Sequence, residues 1–150
     1  MSILIRPLEP ADHAAWLKLW DGYLTFYRAD IPDEVTALTW SRLLDPAEPM
    51  HAAVAVGPDG APAGLVHWTT HRSTWARTSY AYLEDLFVSP DLRGGGAGRA
   101  LIEHVYAWAA EAGCAQVYWL THETNTTARQ LYDRIAERTG FLHYAKVIEG

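Results

Sequence analysis

The sequence predicts one α/β domain over residues 1–150, built on a mixed central sheet of about six strands with about four helices. Three observations carry this. Apolar residues recur at helical spacing up to Leu44, and the period changes from His51 to short strand-like runs. The second half runs strand, helix, strand, helix, strand. The chain has 150 residues, 49% hydrophobic and 20% charged, which suits one sizeable core. No repeat, linker or low-complexity tract divides it.

The elements follow in order. Ile3 to Arg6 reads as a first strand, stopped by Pro7. Pro10 and Asp12 open a helix, because proline fits a first turn and an acid suits the positive end of the helix dipole. Trp16, Leu19, Trp20 and Tyr23 form its apolar stripe. "PDEVTALTWSRLL" reads as a second helix with Val35, Leu38 and Leu43 facing inward, ended by Pro46 and Pro49. "HAAVAV", the turn "GPDGAPAG" and "LVHWTTH" read as a hairpin. "RSTWARTS" is a polar loop. Tyr80 to Val88 is the longest strand, broken by Ser89-Pro90-Asp91.

A helix is expected from Gly98 to Ala112, with Leu101, Val105, Trp108, Ala109 and Ala112 on its apolar face and Gly113 at its end. "AQVYWLT" is a strand. "TARQLYDRIAERT" is a helix with Ala128, Leu131 and Ile135 on one face, closed by Gly140. "FLHYAKVI" is expected to be a last strand.

Composition narrows the function. The formal net charge is -6, which disfavours general nucleic-acid binding and suits a cationic partner. Seven tryptophans and eight tyrosines are enough to fill a core and line a channel as well. One cysteine permits no disulfide within the chain, which fits a reducing cytoplasm. No apolar run approaches the roughly 20 residues of a membrane span, and no signal core stands at the N-terminus.

The stretch "LEDLFVSPDLRGGGAG", Leu83 to Gly98, concentrates the chemistry. Two adjacent acids, Glu84 and Asp85, interrupt an apolar strand. After a turn come an arginine and four glycines at a helix start. A helix N-terminus presents unpaired N–H groups, and glycines let them approach a phosphate. A P-loop fails, because Gly98 is followed by Arg99-Ala100 rather than Lys-Ser or Lys-Thr. A dinucleotide fingerprint fails too, because its last glycine would fall on Arg99. What fits is Arg-x-x-Gly-x-Gly: Arg93, Gly96 and Gly98.

On that signature the chain resembles the GNAT superfamily of acyl-CoA-dependent N-acyltransferases. "YLEDLFV" is similar to the spermidine/spermine N-acetyltransferase branch and its diamine and lysine-analogue relatives. "THETNTTARQLYDRIAERTGF" is similar to the family's second motif, in which an Asn precedes a helix and a Tyr follows seven residues later, here Asn125 and Tyr132. Only ten residues follow Gly140, where many members have two strands, so one strand is expected there.

The resemblance implies the GNAT fold, acetyl-CoA as cosubstrate, no metal, and a homodimer. It implies acetyl transfer to a primary amine of a small cationic molecule, such as a polyamine or a lysine-like amino acid. A protein lysine or N-terminus as acceptor, or a CoA-binding module without turnover, are the alternatives. The pyrophosphate would meet Arg93, Gly94, Gly95, Gly96, Ala97, Gly98 and Arg99. The pantetheine arm would pair with the backbone of Leu86, Phe87 and Val88 and reach Asn125 and Ala128.

Glu84 would take the amine proton, and Tyr132 would protonate the leaving thiolate. Side-chain alternation puts Glu84 and Asp85 on opposite sides of the strand, with Glu84 beside Leu86 and Val88. Asp85 would hold the cationic acceptor or pair with an arginine from a neighbouring element. "WDGYLTFYRAD" falls where the acceptor loop should be, which adds Trp20, Tyr23 and Tyr27 as substrate-binding rings.

His122-Glu123 begins a zinc motif, but the fifth position is Thr126 and it fails. His67 and His71, four apart on a strand, make a poor metal pair. Cys114 reads as a small buried residue rather than a nucleophile.

Overall fold

The computed structural model describes residues 3–149. They fall into two compact units, one ending at Tyr118 and the other beginning at Trp119. The first unit carries the whole sheet. Its strands are β1 (Leu4–Pro7), β2 (Met50–Val56), β3 (Pro62–Arg72), β4 (Ser79–Val88) and β5 (Gln116–Tyr118). They lie in sequence order, with β1 to β4 antiparallel and β5 parallel to β4.

The central strands are buried on both faces, which is why "HAAVAV" and "LVHW" read as nearly continuous apolar runs. Ala53, Val54, Leu65 and Val66 are fully buried. Helix α1 (His13–Phe26) covers one face. There Trp16, Leu19 and Trp20 meet Val54 and Leu65, joined by Leu43 of α2 (Asp33–Leu43). Helix α3 (Ala97–Ala112) covers the other face, where Trp108 packs edge-on against Trp68. Its buried stripe is Leu101, Ile102, Val105 and Ala109.

Local chemistry explains the joints. Before α1, the Asp12 carboxylate accepts the Glu9 backbone N–H at 2.8 Å and both Arg6 Nη groups at 2.8 and 2.9 Å. This pins β1 to the helix entrance. The hairpin turn closes through Gly57 N–H on Ala61 O at 2.8 Å, with Gly60 at φ 83°. Only glycine holds that conformation without strain.

The second unit holds α4 (Thr126–Ile135), whose half-buried residues include Ala128, Leu131, Tyr132 and Ile135.

Three expectations are corrected. On α2, Val35 and Leu38 face solvent, and the inward residues are Thr36, Trp40 and Leu43. The helix has turned about 100° from the expected stripe because Thr36 Oγ1 accepts the Trp20 indole N–H at 3.2 Å. Helix α4 ends at Ile135, short of Gly140, as Ala136 turns to extended backbone. Residues 141–148 form no strand, so the sheet has five strands rather than six. An apolar run makes a strand only where a neighbour supplies the ladder. Phe141, Leu142, Tyr144, Val147 and Ile148 all stay exposed.

Candidate active site

The two acids sit on a β-bulge. Across the β3–β4 ladder Trp68 pairs with Leu83 and His67 with Asp85, so two steps on β4 match one step on β3. Glu84 is the extra residue. Alternation therefore fails where the sequence relied on it. Leu83 is buried opposite Trp68, on the α3 face. Asp85 Oδ2 lies 2.9 Å from Nδ1 of His67, whose ring packs on Trp16 and Trp20 of α1. The expected opposition of Glu84 and Asp85 is corrected: both carboxylates act on the same rings, Tyr23 and Tyr82.

The electrostatics follow from this crowding. Glu84 is exposed in part, yet the protein around its carboxyl raises its pKa. Burial is the larger cause and the neighbouring Asp85 the next, against an opposing effect of His67. Tyr23 is pushed far above the ordinary phenol range, first by burial, then by the charge of Asp85 and a hydrogen bond to it. Tyr27 is raised by burial and by Asp85. Tyr82 and Tyr118 stack with centroids 4.9 Å apart, and both are raised by burial and then by Glu84. The site is therefore a carboxylate pair walled by neutral phenols, a surface that attracts an ammonium group.

Trp20 does not belong to that wall. It is 6% exposed, stacks on Trp16 and reaches the site through two rings, Tyr23 at 5.4 Å and His67 at 5.3 Å.

The backbone beside the acids is open. Pairing with β5 stops at Tyr82–Tyr118, so the ladder leaves Leu83 to Val88 uncovered on that edge. Ser89 N–H bonds Ala63 O at 2.8 Å across β3. By alternation Leu86 and Val88 turn their N–H and C=O groups to the free edge, while the Phe87 backbone faces β3. Arg93 Nε donates to Val88 O at 2.9 Å, and its guanidinium sits 5.5 Å from the Phe87 ring centroid.

Beyond Arg93 the glycines divide into two kinds. Gly94 and Gly96 have φ 83° and 85°, so the turn itself requires them. Gly98 has no such need, and a Cβ there would project into open space. Gly95 is similar, with one carbonyl, that of Leu92, at 3.5 Å from its ideal Cβ. Gly96 occupies the N-cap position of α3 and gives no side-chain cap to the helix N-terminus. Arg99 is exposed and lies 3.6 Å from Glu103. A cradle that a Cβ would fill, at an uncapped helix start, fits a phosphate.

In the second unit Asn125 holds the N-cap position of α4, but its side chain makes no cap bond and instead reaches Thr121 Oγ1 at 3.5 Å. The Tyr132 ring lies edge-on to Trp119 at 5.3 Å. Ala128 stands one turn before it on the same helix.

The model of the acetyltransferase (GNAT) family matches residues 15–136, most of the chain. The chain belongs to this family. D-amino-acid N-acetyltransferase HPA3 of Saccharomyces cerevisiae is 36% identical over 145 residues, which cover 96% of this chain and 90% of that protein. An aminoglycoside N(6')-acetyltransferase type 1 of Klebsiella aerogenes is 30% identical over 85% of this chain and 84% of its own. Thialysine N-epsilon-acetyltransferase of Bos taurus matches only 51% of the chain, at 36% identity. The likeness to the diamine and lysine-analogue branch is therefore partial. AAC(6')-Iy, solved with the bisubstrate analogue CoA-S-monomethyl-acetylneamine, shares the GNAT fold with a TM-score of 0.83 at 20% identity, over 98% of this chain and 99% of that one. The family's use of acetyl-CoA gives the Gly98 cradle and the uncovered β4 edge a ligand of the right chemistry.

Sequence reasoning missed three residues here. His67, Tyr82 and Tyr118 surround the acids. The available signal was a lone histidine inside the apolar run "LVHW", opposite the acids on the adjacent strand. His67 and His71 do not face a common ligand: His67 meets Asp85, whereas His71 Nε2 lies 2.7 Å from the Tyr118 hydroxyl. Burial raises the Cys114 thiol, which keeps it a poor nucleophile. Among the described residues no helix is long and apolar enough to cross a membrane.

Proposed function

We propose that this acetyltransferase acts on the primary amine of a small cationic molecule, by direct attack in a ternary complex with acetyl-CoA. The bulge is the observation that carries the reading. It holds Glu84, with its raised pKa, beside Asp85 and next to the uncovered stretch of β4.

An alkylammonium has a pKa of about 10.4, so it must lose a proton before it can attack. Glu84 accepts that proton, directly or through water, and its raised pKa makes it a better base. Asp85 with Tyr23 and Tyr27 holds the cation. The neutral nitrogen forms a bond to the thioester carbon, and the carbonyl oxygen gains the charge. The Leu86 and Val88 N–H groups on the free edge are the donors available to that oxygen. The carbon–sulfur bond then breaks and Tyr132 gives its hydroxyl proton to the thiolate, while the second proton on the now cationic nitrogen leaves, directly or through water, to restore the Tyr132 phenol; the products are an amide and free CoA. Arg93, Arg99 and the glycine turn hold the pyrophosphate. Asn125 and Ala128 contact the pantetheine. Residues 15–136, matched by one family model, support treating both units as one catalytic domain. The resemblance also supports a homodimer working in the cytoplasm, without a metal.

Amino acids of the D series head the acceptor list, because the yeast relative named for them aligns over nearly the whole chain. Lysine-like amines and polyamines follow. The test is CoA release over a panel of D- and L-amino acids, polyamines, an aminoglycoside and a lysine peptide. Turnover with free amines is expected, and turnover confined to the peptide overturns the acceptor class. The cradle has its own test in Gly98→Val. Its backbone carries no strain, so the melting temperature should hold while acetyl-CoA affinity falls at least about tenfold by calorimetric titration. Unchanged affinity removes the pyrophosphate from this turn.

A further inference from the structure

The reaction above makes no use of His67, although its imidazole touches the acid pair. The ring is 4% exposed and both its nitrogens are engaged. Trp16 Nε1 lies 3.0 Å from His67 Nε2. An indole N–H can only donate, so Nε2 must carry the lone pair. The imidazole proton is then on Nδ1, 2.9 Å from Asp85 Oδ2. The indole thus selects the tautomer. A second proton on Nε2 would have to displace the N–H of a ring that is itself fully buried.

We infer that His67 is a positioning residue for the acceptor amine: oriented by Trp16, it donates Nδ1–H to Asp85 and fixes the carboxylate that receives the ammonium. This rests on the reading of Asp85 as the ammonium anchor. His67 is not the base, because its only free lone pair is already taken by Trp16. Asp85 also accepts from Tyr23, so a hydrogen-bonded chain runs from α1 through β3 to β4 and back to α1. The titratable groups facing His67 are Asp85 and Glu84 of β4, with Tyr23 of α1 behind Asp85. Trp16 and Trp20 are the rings that pack on it.

The first test needs no activity. Side-chain nitrogen–proton correlation spectra of the whole protein report the tautomer, with His67→Asn used to assign the signal. We expect the Nδ1–H form, and an Nε2–H form overturns the inference. The second test is Trp16→Phe, which keeps a ring and deletes one N–H. The Nδ1–H tautomer should then lose its dominance, and amine KM should rise about threefold or more relative to wild type. A variant that loses stability but keeps the wild-type tautomer and amine KM leaves His67 a packing residue.

The third test compares two amides at position 67. His67→Asn puts an N–H near the Nδ1 position and should hold amine KM within about fivefold. His67→Gln places it one bond further along and should raise KM about tenfold or more. Equal effects overturn the positioning role. Asp85→Asn separates the two levels. If it leaves amine KM unchanged, the ammonium anchor fails whatever the tautomer. If it raises KM while the His67 variants do not, only the positioning role fails.

Discussion

Asp12 and Asp85 are held at nearly the same distances and serve different ends. Asp12 accepts two Arg6 N–H groups and the Glu9 N–H, all between 2.8 and 2.9 Å and all from within six residues. It is 5% exposed. Three local donors leave it little capacity for anything else, and Arg6 holds its pKa below the ordinary carboxylate range. Asp85 takes its donors from β3 and α1, stands beside a second carboxylate, and faces half-buried and exposed phenols. A carboxylate saturated by its own neighbours closes a joint. One supplied from distant elements, with another acid alongside, is prepared for a cation.

Three substitutions put that contrast at risk. Glu84→Gln has the largest expected effect. Turnover at pH 7 should fall about a hundredfold or more, the usual worth of a general base, and recover in part as pH rises and more amine is already neutral. The wild-type acid limb should lie above the ordinary glutamate value of about 4.3, because the carboxyl is raised. Initial rates across pH measure both, and a uniform loss at every pH would make Glu84 structural.

Asp85→Asn comes next, with amine KM raised about tenfold and acetyl-CoA binding held, read from saturation curves. Asp12→Asn has the smallest effect on catalysis: kinetic constants should stay within about twofold while stability falls by roughly 1–3 kcal/mol in denaturant titration. Because the folded pKa of Asp12 is lowered, its stabilisation is complete above the unfolded value of about 3.9. It is lost as pH falls through the lower folded value. The variant should therefore lose part of the wild type's acid-side decline. If Asp12→Asn damaged KM as Asp85→Asn does, the distinction between joint and site would collapse.

The glycine turn before α3 was legible in the sequence because it is local. Gly94 and Gly96 serve a turn a few residues long, and Arg93 and Gly98 stand at fixed offsets from it. The helices and all five strands were legible from period, with Leu43 and Trp16 where the stripes put them. The bulge was not, because it exists only as a mismatch between β3 and β4, and neither strand records it alone. His67 was hidden for a related reason. Its role depends on a tryptophan 51 positions earlier and an aspartate 18 positions later. The missing last strand failed differently: residues 141–148 are rich in apolar and β-branched residues but have no ladder. On α2, Thr36 outcompeted Val35 and Leu38 for the inward face through one hydrogen bond that hydrophobicity does not score.

The extra residue in β4 also has a genetic consequence. With Glu84 removed, Leu83 and Asp85 become consecutive and still stand opposite Trp68 and His67, which are consecutive on β3. The ladder would close without a gap, and the residues packed on either face would keep their partners. One in-frame codon deletion thus separates a bulged strand bearing Glu84 from a more regular strand without it. The glycine turn lies beyond the bulge and would survive. On the proposed mechanism, the product of that single deletion would hold the nucleotide and no longer transfer the acetyl group.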